Sequence, residues 1–215
     1  MLKSRARARD EMIRASPTPT AETSHPAVST AHTIGKAERR VAEAEVTELF
    51  DEHEIATRVE ELARMAVDRL PGNFVIVGLL IGSFVFVADF IRALHRIGCK
   101  PGVEFIRLSS YGLGRESSGN VRLIGETEMD LAGRVVLLVD DIVDTGRTLL
   151  YARDLLRERK VANVFTCTLL DKPSRREVVI NPDFVGFTIP DVFVVGYGID
   201  YAHQYRQLPF IGMIN

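Results

Sequence analysis

Val135-Val136-Leu137-Leu138-Val139-Asp140-Asp141-Ile142-Val143-Asp144-Thr145-Gly146-Arg147-Thr148-Leu149 decides the fold. Five successive Val or Leu residues leave no room for a helical stripe and read as a central parallel strand buried on both faces. The strand ends in two acids. A third acid and a Thr-Gly-Arg-Thr loop follow, and then Leu149, Ala152, Leu155 and Leu156 recur at helical spacing. In an open α/β sheet, ligands bind where strand ends and helix starts meet. Unpaired N–H groups at a helix start attract an anion, and Gly146 lets the backbone come close to it. Asp140, Asp141 and Asp144 make a bare phosphate an incomplete answer, because carboxylates repel it. Adjacent strand residues point to opposite faces, so Asp140 and Asp141 are not expected to chelate one ion as a simple pair. Carboxylates do accept hydrogen bonds from sugar hydroxyls and tolerate phosphate when Mg²⁺ bridges the charges. The expected ligand is therefore a phosphorylated sugar with a divalent metal. A P-loop is excluded, since Gly-x-x-x-x-Gly-Lys-Ser/Thr is absent. A receiver-type site would put its acids on the first strand, and here at least two strands precede.

Outward from this stretch, the chain reads as alternating strands and helices. Phe74 to Val77 is a buried strand, Leu80-Ile81-Gly82-Ser83 a tight connection, Phe84 to Leu94 a helix and Val103 to Leu108 a second strand. The polar run from Ser109 to Gly119 contains three glycines and reads as a mobile flap. A strand pair is expected around Val121 to Ile124, and Val164 to Leu170 forms another buried strand. Upstream, Val46, Leu49 and Phe50, then Ile55, Val59, Leu62, Ala63, Ala66 and Leu70, give an interrupted amphipathic helix or helix pair ended by Pro71-Gly72. From Ser174 onward the pattern changes. Val178 to Ile180, Phe184 to Phe187 and Phe193 to Val195, separated by Asn181-Pro182-Asp183 and Ile189-Pro190-Asp191, read as short strands of a small lid.

The chain has 215 residues, 46% of them hydrophobic, enough for one core plus a tail. A net charge of −2 points to neither a nucleic-acid nor a membrane partner. Pro71 to Ala88 is uncharged and approaches the length of a membrane span, but Asn73, Gly78, Gly82 and Ser83 interrupt it and it divides into a strand and a helix. Cys99 and Cys167 lack partners at metal-ligand spacing, which suits small buried hydrophobes in a reduced, cytoplasmic protein. Residues 1 to 40, with Arg5, Arg7, Arg9 and a Ser-Pro-Thr-Pro-Thr run, read as a disordered extension. No apolar segment there makes a secretory signal, and Asp10, Glu11 and Glu22 weaken a transit peptide.

The run Val-Asp-Asp-Ile-Val-Asp-Thr-Gly-Arg-Thr resembles the phosphoribosyl pyrophosphate loop of type I phosphoribosyltransferases. That resemblance implies an α/β fold with a Rossmann-like, mostly parallel sheet flanked by helices and a small C-terminal hood. The domain would span residues 41–215, with a core at about 70–172 and a hood at about 173–215 to which the helical segment 41–69 contributes. It also implies roles. Asp140 and Asp141 would serve the ribose hydroxyls and the Mg²⁺ shell, and Thr145, Gly146, Arg147 and Thr148 the 5′-phosphate. The turn Leu80-Ile81-Gly82 would touch pyrophosphate. Here the family often has Lys or Arg where this chain has Ile81, which supplies no cation. Ser110-Tyr111 fits the flap pair that closes over the reaction and shields it from water.

Further stretches resemble the 6-oxopurine branch. Lys172 in Asp171-Lys172-Pro173 would donate to the 6-oxo group. In Phe193-Val194-Val195-Gly196-Tyr197-Gly198-Ile199-Asp200-Tyr201, Phe193 would stack on the base, the Val194 backbone would read its edge and Asp200 would complete the metal shell. Arg206 resembles an arginine that contacts pyrophosphate. Asp144 is the expected general base, because attack by a purine ring nitrogen releases a proton that a carboxylate within reach can take. The implied activity is purine salvage, the substrates being phosphoribosyl pyrophosphate and hypoxanthine or guanine and the assembly a homodimer or homotetramer. A second reading on the same fold is a phosphoribosyl pyrophosphate-sensing regulator that binds nucleic acid, though the chain carries no helix-turn-helix pattern and no dense basic stripe. Transfer to a pyrimidine is disfavoured by Lys172 and the Phe193 to Asp200 segment.

Overall fold

The computed structural model describes residues 45–110, 121–125 and 129–214. The expected extension at 1–40 lies outside them, as do Tyr111 and the rest of the expected flap to Gly119.

Among the described residues the main sheet has six strands. In chain order they are β2 (Val75–Leu80), β3 (Gly102–Ser110), β4 (Val121–Gly125), β5 (Val135–Val143), β6 (Asn163–Asp171) and β7 (Phe184–Thr188). Their spatial order is β4-β3-β2-β5-β6-β7, and β4 alone of these runs antiparallel to its neighbour. β5 is central and buried on both faces, as its sequence requires. Leu137 and Val139 enter one apolar cluster with α1 (Glu52–Arg69) and α2 (Phe84–Arg96), while Val136 and Leu138 enter the other with α3 (Arg147–Glu158). The period-2 alternation of a strand thus divides one apolar run between two helical layers.

The chain winds from β2 to β3 in one direction and returns to place β5 on the other side of β2. Val75 pairs with Val136 and Gly78 with Val139, so the carboxyl ends of β2 and β5 emerge side by side at the point where strand order reverses. That pairing brings Leu80-Ile81-Gly82 beside Asp140-Asp141.

Three expectations are corrected. Val46, Leu49 and Phe50 belong to a strand, β1 (Val46–Phe50), and not to a helix. The helix α1 starts only after Asp51, whose carboxylate accepts from Glu54 N–H at 2.7 Å while the Glu54 carboxylate accepts from Asp51 N–H at 2.9 Å, a capping box. β1 pairs with β9 (Ile211–Ile214), which also pairs with β8 (Val194–Val195), in a small antiparallel sheet. A partner so distant along the chain leaves no local periodicity to read. Second, Phe184–Thr188 belongs to the main sheet, parallel to β6, instead of to a lid. The Asp183 carboxylate accepts from the N–H and hydroxyl of Thr166, both at 2.9 Å, which sets its register. Arg58 of α1 donates to the carbonyls of Val185 (2.9 Å) and Gly186 (2.6 Å), capping part of that open edge. Third, Val178 to Ile180 forms no strand.

Cys167 is buried, which pushes its thiol well above the ordinary range, and Cys99 is half-buried against the core. Among the described residues no helix is long and apolar enough to cross a membrane. Phe90 is fully enclosed on α2 beside Phe86, with ring centroids 5.7 Å apart. Phe90→Ala is expected to cost about 3–5 kcal/mol in urea unfolding, the range for an aromatic removed from a packed core; a loss under about 1 kcal/mol would show that α2 is loosely packed.

Candidate active site

A cleft of about 580 Å³ opens at the reversal point, lined by Leu80 to Gly82 from one side and by Asp140 to Leu149 from the other. Its floor is acidic. Asp140 is 7% exposed, and the two acids are not splayed to opposite faces as strand alternation predicts: their carboxyls come within hydrogen-bond reach, and Asp140 Oδ1 also accepts from Asp141 N–H at 3.0 Å. β5 pairs with β6 through Asp140 and Ile142 on either side of Asp141 in one register. Burial, then the adjacent Asp141 charge, hold the Asp140 carboxyl well above the usual carboxylate range. Burial raises Asp141 as well, opposed by hydrogen bonds from Asp140 and the backbone and by the charge of Arg206.

Beyond the acids the chain turns into α3. Gly146 has φ +83°, and a Cβ there would come within 2.9 Å of Ile180 and Arg176. Glycine is needed for both the backbone angle and the space. Arg147 N–H leans toward Thr145 Oγ1 at 3.4 Å, and the start of this twelve-residue helix presents its amides to the cleft together with Thr148. The Arg147 guanidinium is turned to Glu177 (2.7 Å), whose N–H donates to Thr145 O at 3.0 Å.

Lys172, which on composition alone would be a surface lysine, is 5% exposed. Its Nζ lies 4.0 Å from Asp144 Oδ2, and Asp144 Oδ1 accepts from Arg175 Nε at 3.2 Å. Arg175 and Arg176 went unassigned in the sequence. Arg176 donates to the Asp144 carbonyl at 2.7 Å and pairs with Asp171, tying the end of β6 to the loop after β5. The Arg-Arg-Glu run directly after Asp171-Lys172-Pro173-Ser174 was the available signal, but only folding shows that it doubles back on the loop.

Opposite, Gly82 is packed so closely that a Cβ would overlap the Asp141 carboxylate. Gly198 is packed in turn on the Gly82 carbonyl. Arg206 donates to Gly198 O at 2.5 Å and pairs with Asp200 at 2.6 Å. Leu80, Ile81 and Gly82 therefore sit with Asp140 and Asp141 in the cleft, while Asp200 and Arg206 do not line it and are tied to its turn through Gly198. Ile81 is 44% exposed and the Leu80–Ile81 peptide is cis. Phe193 is also 44% exposed, with Tyr201 edge-on at 5.3 Å, so it is not the core residue that its type suggests. The Phe193 carbonyl accepts from Ile214 N–H at 3.0 Å, and ladder alternation then points the N–H and C=O of Val194 away from β9, toward the open edge of the small sheet. Ser110 ends β3, and Tyr111 lies outside the described residues.

Among the described residues no group of three His, Cys, Asp or Glu side chains is placed to cage a metal. Two adjacent carboxylates still fit Mg²⁺, which keeps several waters and takes one or two protein carboxylates plus substrate phosphates. Asp200, held by Arg206, would need to change partner to join.

The phosphoribosyl transferase domain family matches residues 45–202. The hypoxanthine phosphoribosyltransferase of Escherichia coli (strain K12) is 45% identical over 169 residues, spanning 77% of this chain and 93% of the relative. The hypoxanthine-guanine phosphoribosyltransferase of Aquifex aeolicus (strain VF5) is 45% identical over 168 residues, with the same shares. A crystal structure of a hypoxanthine-guanine phosphoribosyltransferase from Bacillus anthracis, with a HEPES molecule in its active site, superposes at a TM-score of 0.73 and 40% identity, covering 80% of this chain and 100% of that one.

Because burial and the Asp141 charge raise the Asp140 carboxyl above its value in the unfolded chain, folding stability falls as pH rises from the ordinary carboxylate range toward the folded value. Asp140→Asn, neutral throughout, is expected to melt higher than the wild type at neutral pH and to lose that advantage below about pH 4, where both states of the wild type are protonated. Scanning calorimetry checks this, and a lower melting temperature at neutral pH would contradict it.

Proposed function

The chain belongs to the phosphoribosyl transferase family, and from that premise we propose that it is a purine salvage enzyme. It moves the 5-phosphoribosyl group of phosphoribosyl pyrophosphate to hypoxanthine, and with it guanine, releasing pyrophosphate. The observation that carries the purine reading is the burial of Lys172 at 4.0 Å from Asp144. One donor for a 6-oxo group and one acceptor for a ring-nitrogen proton then stand side by side, the pair of functions a 6-oxopurine needs.

In the reaction a purine ring nitrogen bonds to the anomeric carbon as the carbon–oxygen bond to pyrophosphate breaks. As the lone pair of that nitrogen forms the new bond, the proton carried by the five-membered ring of the base passes to the Asp144 carboxylate. Arg175 and the main-chain bond from Arg176 fix Asp144 in place for that transfer. The start of α3 with Thr145 to Thr148 holds the 5′-phosphate, and the incoming phosphate competes with Glu177 for Arg147. Asp140 and Asp141 accept from the ribose hydroxyls, and Mg²⁺, held by Asp140, Asp141 and Asp200, would neutralise pyrophosphate as it departs. Phe193 offers its exposed ring to the base and Val194 its outward amide and carbonyl to the base edge. Holding both reactants in line supplies much of the rate.

Nucleotide formation from phosphoribosyl pyrophosphate and Mg²⁺ with hypoxanthine, guanine, xanthine, adenine or uracil in separate reactions tests the reading. Turnover confined to 6-oxopurines is expected. Binding of phosphoribosyl pyrophosphate without turnover of any base would replace it with the regulator. Asp144→Ala is expected to lower kcat by about 10²–10⁴-fold, the usual share of a general base, with affinity for phosphoribosyl pyrophosphate changed far less; equal losses in both would make Asp144 a positioning group.

A further inference from the structure

Gly196, Tyr197 and Gly198 all have positive φ, at +97°, +49° and +98°. Glycine adopts that region freely, whereas a bulky L residue does so only where its surroundings impose it. Three contacts impose it on Tyr197. Its N–H donates to Leu208 O at 2.9 Å, its ring is buried and its hydroxyl donates to Asp89 Oδ2 at 2.8 Å. Asp89 lies on α2 and is oriented by Arg92, which donates to its other oxygen at 2.9 Å.

The consequence reaches the cleft in both directions along the chain. α2 begins directly after the Leu80–Gly82 turn, so a bond to Asp89 ties Tyr197 to the helix that carries that turn. The next residue, Gly198, packs on the Gly82 carbonyl, and its own carbonyl is held by Arg206, which pairs with Asp200. Phe193 and Val194 precede the same turn. We propose that the Tyr197–Asp89 hydrogen bond is a positioning element of the transfer site, registering the base platform of Phe193 and Val194 and the acid Asp200 against the pyrophosphate turn. The proposal rests on the transferase reading above. Neither side chain touches a substrate; both act through Gly198 and Gly82.

Tyr197→Phe removes one oxygen and keeps the buried ring, and Asp89, whose side chain is 42% exposed, regains water, so the fold is retained. In the full chain, Tyr197→Phe and Asp89→Leu are expected to raise KM for both hypoxanthine and phosphoribosyl pyrophosphate about fivefold to tenfold, the size of one net hydrogen bond. kcat should change less than about twofold, since Asp144 and Lys172 stand on the main sheet. Asp89→Asn, which keeps an oxygen acceptor, restores both KM values, and the double variant Tyr197→Phe/Asp89→Leu is no worse than either single one. Unchanged KM values in Tyr197→Phe, or additive losses in the double variant, overturn the proposal. If the wild type itself gives no turnover, the transferase reading falls separately. Calorimetric affinity for phosphoribosyl pyrophosphate with Mg²⁺ then decides: weaker binding in Tyr197→Phe supports the pair's role and equal binding overturns it.

Discussion

The cleft depends on two carboxyls at the end of a central strand, one buried and one half-buried, against a glycine that leaves them room. Asp140 and Asp141 sit where β5 ends, and the Asp141 carboxylate occupies the space in which a side chain on Gly82 would lie. Gly82 has no left-handed φ, so its requirement is spatial and not conformational. Gly198 on the far side repeats the arrangement by packing on the Gly82 carbonyl. Acid, turn and C-terminal segment thereby form one column in which each layer is set by the absence of a side chain in the next. Interdigitated packing of this kind transmits small displacements instead of absorbing them.

Charge is arranged around that column in matched pairs. The acids on the floor face Arg206, Arg147 faces Glu177, and Asp144 faces Lys172 and Arg175. These pairs compensate the charges around the cleft from within the chain. The acid pair works against stability, as groups kept for function commonly do.

The central part of this design was legible in the sequence because local chemistry specified it. The apolar run of β5 and the glycine at the helix start are specified locally and stand where expected, whereas the close approach of the two terminal acids runs against the alternation of a strand. Lys172 was legible only through family resemblance, since nothing local distinguishes a lysine enclosed beside Asp144 from one in water. Contacts across long stretches of chain were not legible at all. β1 read as helix because its partner β9 lies at the other end of the chain, and Phe184–Thr188 read as lid because its breakers hide an edge strand that Arg58 and Thr166 hold in place. Arg176 and the Tyr197–Asp89 pair belong with these, being ordinary residue types given meaning by what folds against them.

The close approach of turn to acid is the central claim, and Gly82→Ala tests it directly through calorimetric titration with phosphoribosyl pyrophosphate and Mg²⁺. One added methyl must displace the Asp141 carboxylate or the turn, while the secondary structure measured by circular dichroism stays that of the wild type. The account predicts affinity weakened by about tenfold to a hundredfold, the scale of an ångström-level misplacement in a preorganised site. Wild-type affinity in Gly82→Ala would contradict it.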